Sequence, residues 1–252
     1  MKKLLIRLLP THCYLMLRWY DFKLNRKNSF NKIQALRSVD DESTGGYLPF
    51  DKAKAIFVHI PKCAGISVNK ALFGSIAGGH TTLDQYINVF PPAQFQSYFR
   101  FSFVRNPWDR VVSAYCFLQK GGINKWDADF YEKEIKPFGS FEDFVKGWLK
   151  PENLTKHHHF KPQYLYLIDK YDKVTVDYIA YFENIEEDFK TIAKRIGVKN
   201  TLAKNNAVNR ADYRSFYNDE TREIVAEVYK KDIALFHYNF AGVESTVRKL
   251  KL

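Results

Sequence analysis

One stretch, Ala55-Ile-Phe-Val-His-Ile-Pro-Lys-Cys-Ala-Gly-Ile-Ser-Val-Asn69, limits the possible folds of this chain more than any other. Ala55 to Ile60 is apolar and partly β-branched, the composition of a buried strand. Pro61 stops the strand, Lys62 to Ile66 form a tight turn containing Gly65, and from Ser67 onward Val68, Ala71 and Leu72 recur at helical spacing. Strand, lysine-bearing turn and helix together make an anion cradle. The first N–H groups of a helix lack intrahelical partners, and the helix dipole draws negative charge to them. Lys62 adds a point charge. The expected ligand group is phosphate or a close relative such as sulfate. The spacing is not G-x-x-x-x-G-K-[ST], because the lysine comes before the single glycine, so a metal-dependent nucleoside triphosphatase is disfavoured. The competing reading is a structural corner with a solvated lysine.

A second corner follows the same plan. Phe99 to Val104 reads as a buried strand, Asn106-Pro107 breaks it, and Pro107 suits the first turn of a helix carrying Val111, Val112, Ala114, Tyr115 and Leu118. Arg105 stands at the carboxyl end of that strand, where open α/β sheets bind ligands. Ser113 lies about two turns into the helix and can converge with Arg105 on one anion. The alternative for Arg105 is an ion pair with Asp109. Further helices are expected after a Thr82 cap, from Pro91-Pro92 to about Tyr98, over Ser140 to Leu149, over Ile185 to Ile196, and over Thr221 to Phe236. Asp172 to Val176 and Tyr178 to Phe182 read as short strands, and residues 21–50 as a polar connector. Strands alternating with helices predict an α/β fold, with a mostly parallel central sheet flanked by helices. The expected division is a basic N-terminal extension and connector over 1–50 and one catalytic domain over 51–252.

The net charge of +11 over 252 residues suggests nucleic acid, but its distribution argues otherwise. Residues 1–37 hold nine Lys/Arg against one acid, Asp21, so eight of the eleven net charges lie there and the body is nearly balanced. Three cysteines, Cys13, Cys63 and Cys116, make neither a disulfide framework nor a zinc site, and suit a reducing compartment. No apolar run reaches about 18 residues, so no standard transmembrane span is expected. Residues 1–20 read as a helix packed on the domain, with weak contact to a membrane surface as the competing reading.

The order strand–PKxxGxS–helix, then strand–RNPxxRxxS–helix, resembles the sulfotransferase superfamily. The likeness is closest to the branch of heparan 2-O-sulfotransferases, carbohydrate sulfotransferases and their bacterial relatives. Gly79-His80-Thr-Thr-Leu-Asp84 is similar to the segment carrying that family's catalytic histidine, and His159-Phe-Lys-Pro-Gln163 to its H-x-x-P-Q segment. The resemblance implies a fold related to the P-loop nucleotide kinases and a co-substrate, 3′-phosphoadenosine 5′-phosphosulfate. Pro61, Lys62, Cys63, Ala64, Gly65, Ile66, Ser67 and Val68 would hold its 5′-phosphosulfate, and Arg105 with Ser113 its 3′-phosphate. Ile66 stands where the family usually has Thr, which removes one hydroxyl donor, and Tyr181 replaces a residue that is often Arg.

The chemistry agrees with the residues. Sulfuryl transfer asks for in-line positioning and charge stabilisation, as phosphoryl transfer does. Lys62 can stabilise the leaving oxygen, and His80 can take the proton of an alcohol acceptor. His159, Lys161 and Arg210 are candidate acceptor contacts. His59 reads as a packed core histidine, as do Trp108, Trp126 and Trp148 as core aromatics. His157 to His159 cannot all face one ion on a regular element, and no metal is expected. The function expected is O-sulfation of a hydroxyl acceptor, most simply a carbohydrate, by a bacterial cytoplasmic enzyme that acts on no nucleic acid. The alternatives are a nucleotide or small-molecule kinase, and a nucleic-acid-binding protein that uses its basic N-terminus.

Overall fold

A computed structural model describes residues 9–39, 45–202 and 211–243. The main sheet has three parallel strands in the order β1 (Ala55–Phe57), β2 (Phe99–Val104), β3 (Tyr178–Tyr181). Ala55 pairs with Phe99 and Phe101 with Tyr178, so β2, buried through its last four residues, is the central strand. Strand β1 stops three residues short of the expected end at Ile60. Val58 still donates to Phe101 O, but the Ser102 hydroxyl takes Val58's carbonyl at 2.7 Å and the ladder ends.

The order of helices is α1 (Thr11–Asn25), α2 (Lys27–Arg37), α3 (Leu48–Ala53), α4 (Gly65–Phe73), α5 (Leu83–Val89), α6 (Pro92–Ser97), α7 (Pro107–Gln119), α8 (Lys125–Phe130), α9 (Phe141–Gly147), α10 (Tyr164–Leu167), α11 (Ile185–Ile196), α12 (Asp219–Val228) and α13 (Lys230–Leu235). A two-residue antiparallel ladder, β4 (Tyr238–Asn239) with β5 (Gly242–Val243), closes the described chain. Local chemistry sets several boundaries. Thr82 and Gln85 form the capping box of α5, Pro107 opens α7 above the Asn106 cap, and Gly197 takes the left-handed conformation after α11.

Two apolar clusters form the core. One surrounds the sheet, with Phe57, Phe101, Phe103, Tyr86 and Phe90 among its buried members. The other lies behind α7 and contains Val112, Leu118, Phe144, Trp148, Phe160 and Tyr229. The sheet thus presents the loops after β1 and β2 side by side at its carboxyl end.

Several elements differ from the expectations. The polar stretch 21–50 holds the end of α1, all of α2 and the start of α3, not a connector. Specific ion pairs seat the N-terminal helices: Arg18 of α1 reaches Asp84 with two bonds of 2.7 and 2.8 Å, and Arg37 of α2 grips Asp51, which also accepts from Tyr98. Tyr14 and Leu15 are buried, so α1 packs on the domain. Asp172 to Val176 is no strand. It is a turn with a single bridge, Ile168 to Val174, and Asp172 sits at φ 60°. The expected helix over Thr221 to Phe236 breaks at Tyr229, whose buried hydroxyl donates to Phe160 O at 2.7 Å. Among the described residues no helix is long and apolar enough to cross a membrane.

Candidate active site

The loop from β1 to α4 is wound tightly. Lys62 (φ 69°) and Ala64 (φ 59°) are both left-handed, with Cys63 between them in the ordinary region. Alternation of hand turns successive amides into one concavity, the geometry of an anion nest. Left-handed non-glycine residues cost of order 1–3 kcal/mol each and persist only when neighbours fix them. Here the neighbours are two arginines: Arg110 Nε donates to Pro61 O at 3.0 Å and Arg105 Nη1 to Lys62 O at 2.9 Å. Gln163 Oε1 accepts from the Cys63 thiol at 3.5 Å. Gly65 opens α4, where any Cβ would meet His59 Cδ2 at 1.8 Å. Glycine is required there by close packing.

Positive charge gathers around this turn. The Lys62 ammonium lies 3.7 Å from the Phe117 ring centroid, on α7. Burial, and then the neighbouring Arg105 charge, bring its pKa down to about 8. Arg105 is buried, stacks 3.9 Å over Phe182, and pairs with Asp109 at 2.7 Å. The ion pair with Asp109 is thus present, and the same guanidinium also donates to the Lys62 carbonyl of the first loop. Arg110 is 1% exposed, and its Nη2 has no hydrogen-bond partner. A buried guanidinium with an orphaned donor, beside a nest and a lysine, fits an oxyanion such as phosphate or sulfate.

Histidines form the opposite wall. The His80 ring lies 4.4 Å from His59 and 4.8 Å from His158, and its Nδ1 contacts His59 O at 3.3 Å. That contact leaves Nε2 as its outward nitrogen. His80 is open to solvent on one side, yet crowding lowers its pKa, so it is neutral at neutral pH. His59 is buried with Nδ1 unpartnered and is held well below its ordinary value by burial. The turn His157 to Phe160 closes through Phe160 N–H to His157 O at 3.0 Å, and this irregular backbone brings all three adjacent histidines together. The sequence argument against their convergence holds only for regular elements. Trp126 is half exposed, not core, and stacks on His157 at 4.0 Å. Trp108 and Trp148 are buried as expected.

The sulfotransferase family model matches residues 46–239. The chain belongs to this family. An uncharacterized protein of Archaeoglobus fulgidus is 37% identical over 109 residues, 43% of this chain and 75% of its own length. Carbohydrate sulfotransferase 11 of Rattus norvegicus is 26% identical over 184 residues, 63% of this chain and 52% of the relative. Carbohydrate sulfotransferase 14 of Danio rerio is 25% identical over 174 residues, 58% of this chain and 47% of the relative. The chain thus spans about half the length of these two carbohydrate sulfotransferases. No solved structure matches it significantly.

In this chain the two strand–helix loops are one unit, because Arg105 of the second donates to the Lys62 carbonyl of the first. Ser113 is half-buried one helical turn beyond Asp109, on the same face of α7. Ile66 is 48% exposed on the first turn of α4, and Ser67 follows it, half-buried. Val68 and Cys63 are buried packing residues, and burial pushes the Cys63 thiol up to about 12. His159 is 6% exposed with Phe117 against it at 4.9 Å. The Lys161 ammonium sits 4.5 Å over Tyr166, whose hydroxyl donates to His158 O. Arg210, with Val208 and Asn209, lies outside the described residues. Sequence reasoning missed three residues. Arg110 was visible as the second arginine of RNPxxRxxS. Gln163 closes the H-x-x-P-Q segment; it accepts from Arg105 N–H at 2.9 Å and donates to Arg105 O at 2.8 Å. Asp127 carried no signal, since nothing in the sequence tied α8 to the histidines.

Proposed function

We propose that this sulfotransferase moves the sulfuryl group of 3′-phosphoadenosine 5′-phosphosulfate to a hydroxyl, on a carbohydrate acceptor. The observation that carries the reading is the fastening of both anion loops by Arg105 and Arg110, with Lys62 on one side and neutral His80 on the other. The first-turn amides of α4 and Ser67 hold the phosphosulfate oxygens. Arg105 and Ser113 hold the 3′-phosphate. His80 Nε2 takes the acceptor proton as the new O–S bond forms, and the Lys62 ammonium stabilises the phosphate oxygen left when the old S–O bond breaks. Protein groups supply the charge stabilisation in this scheme, and no metal enters it. The carbohydrate class is supported by the relatives named carbohydrate sulfotransferases and by the exposed Trp126 face beside His158, a surface suited to a sugar ring.

The test is a thermal-shift titration with 3′-phosphoadenosine 5′-phosphate, ADP and ATP–Mg²⁺, on wild type and Lys62→Gln. A ligand at about 100 times its dissociation constant adds about 2.7 kcal/mol of stability. The reading predicts stabilisation by the 3′-phosphorylated nucleotide, a weak response to ADP, and a reduced shift in the variant. Stabilisation by ATP–Mg²⁺ with indifference to the 3′-phosphate would make a kinase of it.

A further inference from the structure

Asp127, His157, His158 and His159 each place one imidazole nitrogen or carboxylate oxygen within 4.8 Å of the other three. We propose that this cluster is a binding site for a transition-metal dication of the zinc type, outside the anion cradle. Imidazole nitrogen and carboxylate oxygen are donors such an ion takes, at about 2.0–2.2 Å. A tetrahedron with bonds of that length has ligand atoms about 3.3 Å apart. His157 Nε2 and Asp127 Oδ1 already stand 3.2 Å apart. Rotation of side chains on a turn can shorten the remaining separations.

A second observation is independent of that spacing. His159 is 6% exposed, and its Nδ1 is buried without a hydrogen-bond partner. A buried nitrogen left this way in a polar cluster calls for an occupant. Trp126 stacks on His157 and His158, at 11° and 20° between planes, and the two imidazoles are stacked on each other at 4.7 Å. Lone pairs lie in the ring plane, so His158 on its open side is the ring that turns to share an ion with His157. Asp127 is oriented from outside the cluster: its Oδ2 accepts from Ile123 N–H at 3.1 Å and its own N–H donates to Asn124 Oδ1 at 2.9 Å. Metal sites depend on such outer partners. His158, half-buried, is the open side.

On binding, the ion replaces the proton that bridges His157 Nε2 and Asp127 Oδ1. That proton passes to His157 Nδ1, which then no longer accepts from His159 N–H, so the turn shifts to give that N–H another acceptor. Lys62 and Arg110 act on His158 and oppose a cation, and the Asp127 carboxylate offsets them. Four protein ligands leave no open position, which makes the site structural. It ties α8 to the histidine turn, with His158 4.8 Å from His80.

Full-length protein stripped with a chelator is titrated with Zn²⁺ against a chromophoric competitor, and with Co²⁺ while visible absorption is followed. Expected are one ion per chain, the intense bands of four-coordinate Co²⁺, and an affinity loss in His158→Ala and Asp127→Asn larger than the about 10- to 100-fold that loss of an outer partner alone causes. His12→Ala, at an exposed histidine of α1, should bind like wild type. Circular dichroism verifies the fold of each variant, and His158→Gln replaces His158→Ala if the latter does not fold. No ion on the wild type, the faint spectrum of six-coordinate Co²⁺, or full affinity in a folded His158 variant overturns the site.

Discussion

In the proposed transfer Lys62 acts charged in a place that resists charge, and His80 acts neutral in a place that favours neutrality. Burial and Arg105 bring the lysine to about 8, and burial holds His80 below its ordinary range. The profile of kcat/KM, which reports the free enzyme, should therefore have the midpoint of its acid limb below the ordinary histidine range and decline on the alkaline side with a midpoint near 8. An alkaline limb that stays flat well past that midpoint would remove Lys62 from the charge-stabilising role. Lys62→Ala should lower kcat by about 10²–10³, the usual cost of losing one such donor. Ile66 offers the opposite experiment. It is 48% exposed at the cradle, so Ile66→Thr restores a hydroxyl without opening a cavity. One added hydrogen bond is worth about 0.5–1.5 kcal/mol, so calorimetry should show donor affinity rising by up to roughly tenfold. Unchanged affinity would place position 66 outside the donor contact surface.

Gln163 joins three elements. Its amide holds both backbone groups of Arg105 at the end of β2, its oxygen meets Cys63 in the cradle, and its N–H donates to Asp232 of α13 at 2.8 Å. Gln163→Ala leaves a buried N–H and C=O of Arg105 unpaired, at about 1–3 kcal/mol each. Urea unfolding should show a loss of about 2–6 kcal/mol, together with weaker donor binding because Arg105 is displaced. Wild-type stability in this variant would mean that water replaces the amide. Such junctions explain what the sequence could convey. The strand–turn–helix corners at Ala55 and Phe99 were legible because both signals are local: a short run rich in apolar residues, then a proline, with Gly65 added at the first corner. The histidine turn and the Tyr229 break were not, because each is set by a partner far along the chain, Asp127 in one case and Phe160 in the other.

Across the molecule, the parallel sheet, its flanking helices and the packing of α1 followed from the sequence patterns, whereas α2 and the start of α3 did not. Their polar sequence concealed that Arg37 is fixed by Asp51. The same compactness predicts acid sensitivity. His59 is buried and stays neutral well below its ordinary pKa of 6.5. The unfolded chain takes up that proton as pH falls through 6.5 and the folded chain does not, so stability is full above this range and declines below it. One such group contributes a slope of up to about 1.4 kcal/mol per pH unit. Denaturant titrations across this range should show the slope in wild type and a smaller one in His59→Asn; equal slopes would assign it to other groups. The three thiols divide by the same logic of burial. Cys63 sits within the cradle with its proton held up to about 12, while Cys13 is exposed on α1. Cys116 on α7 is half-buried. Thiol-directed labels should therefore reach Cys13 first and leave the cradle chemically silent, which gives the protein an attachment point for an optical reporter on its outer helix.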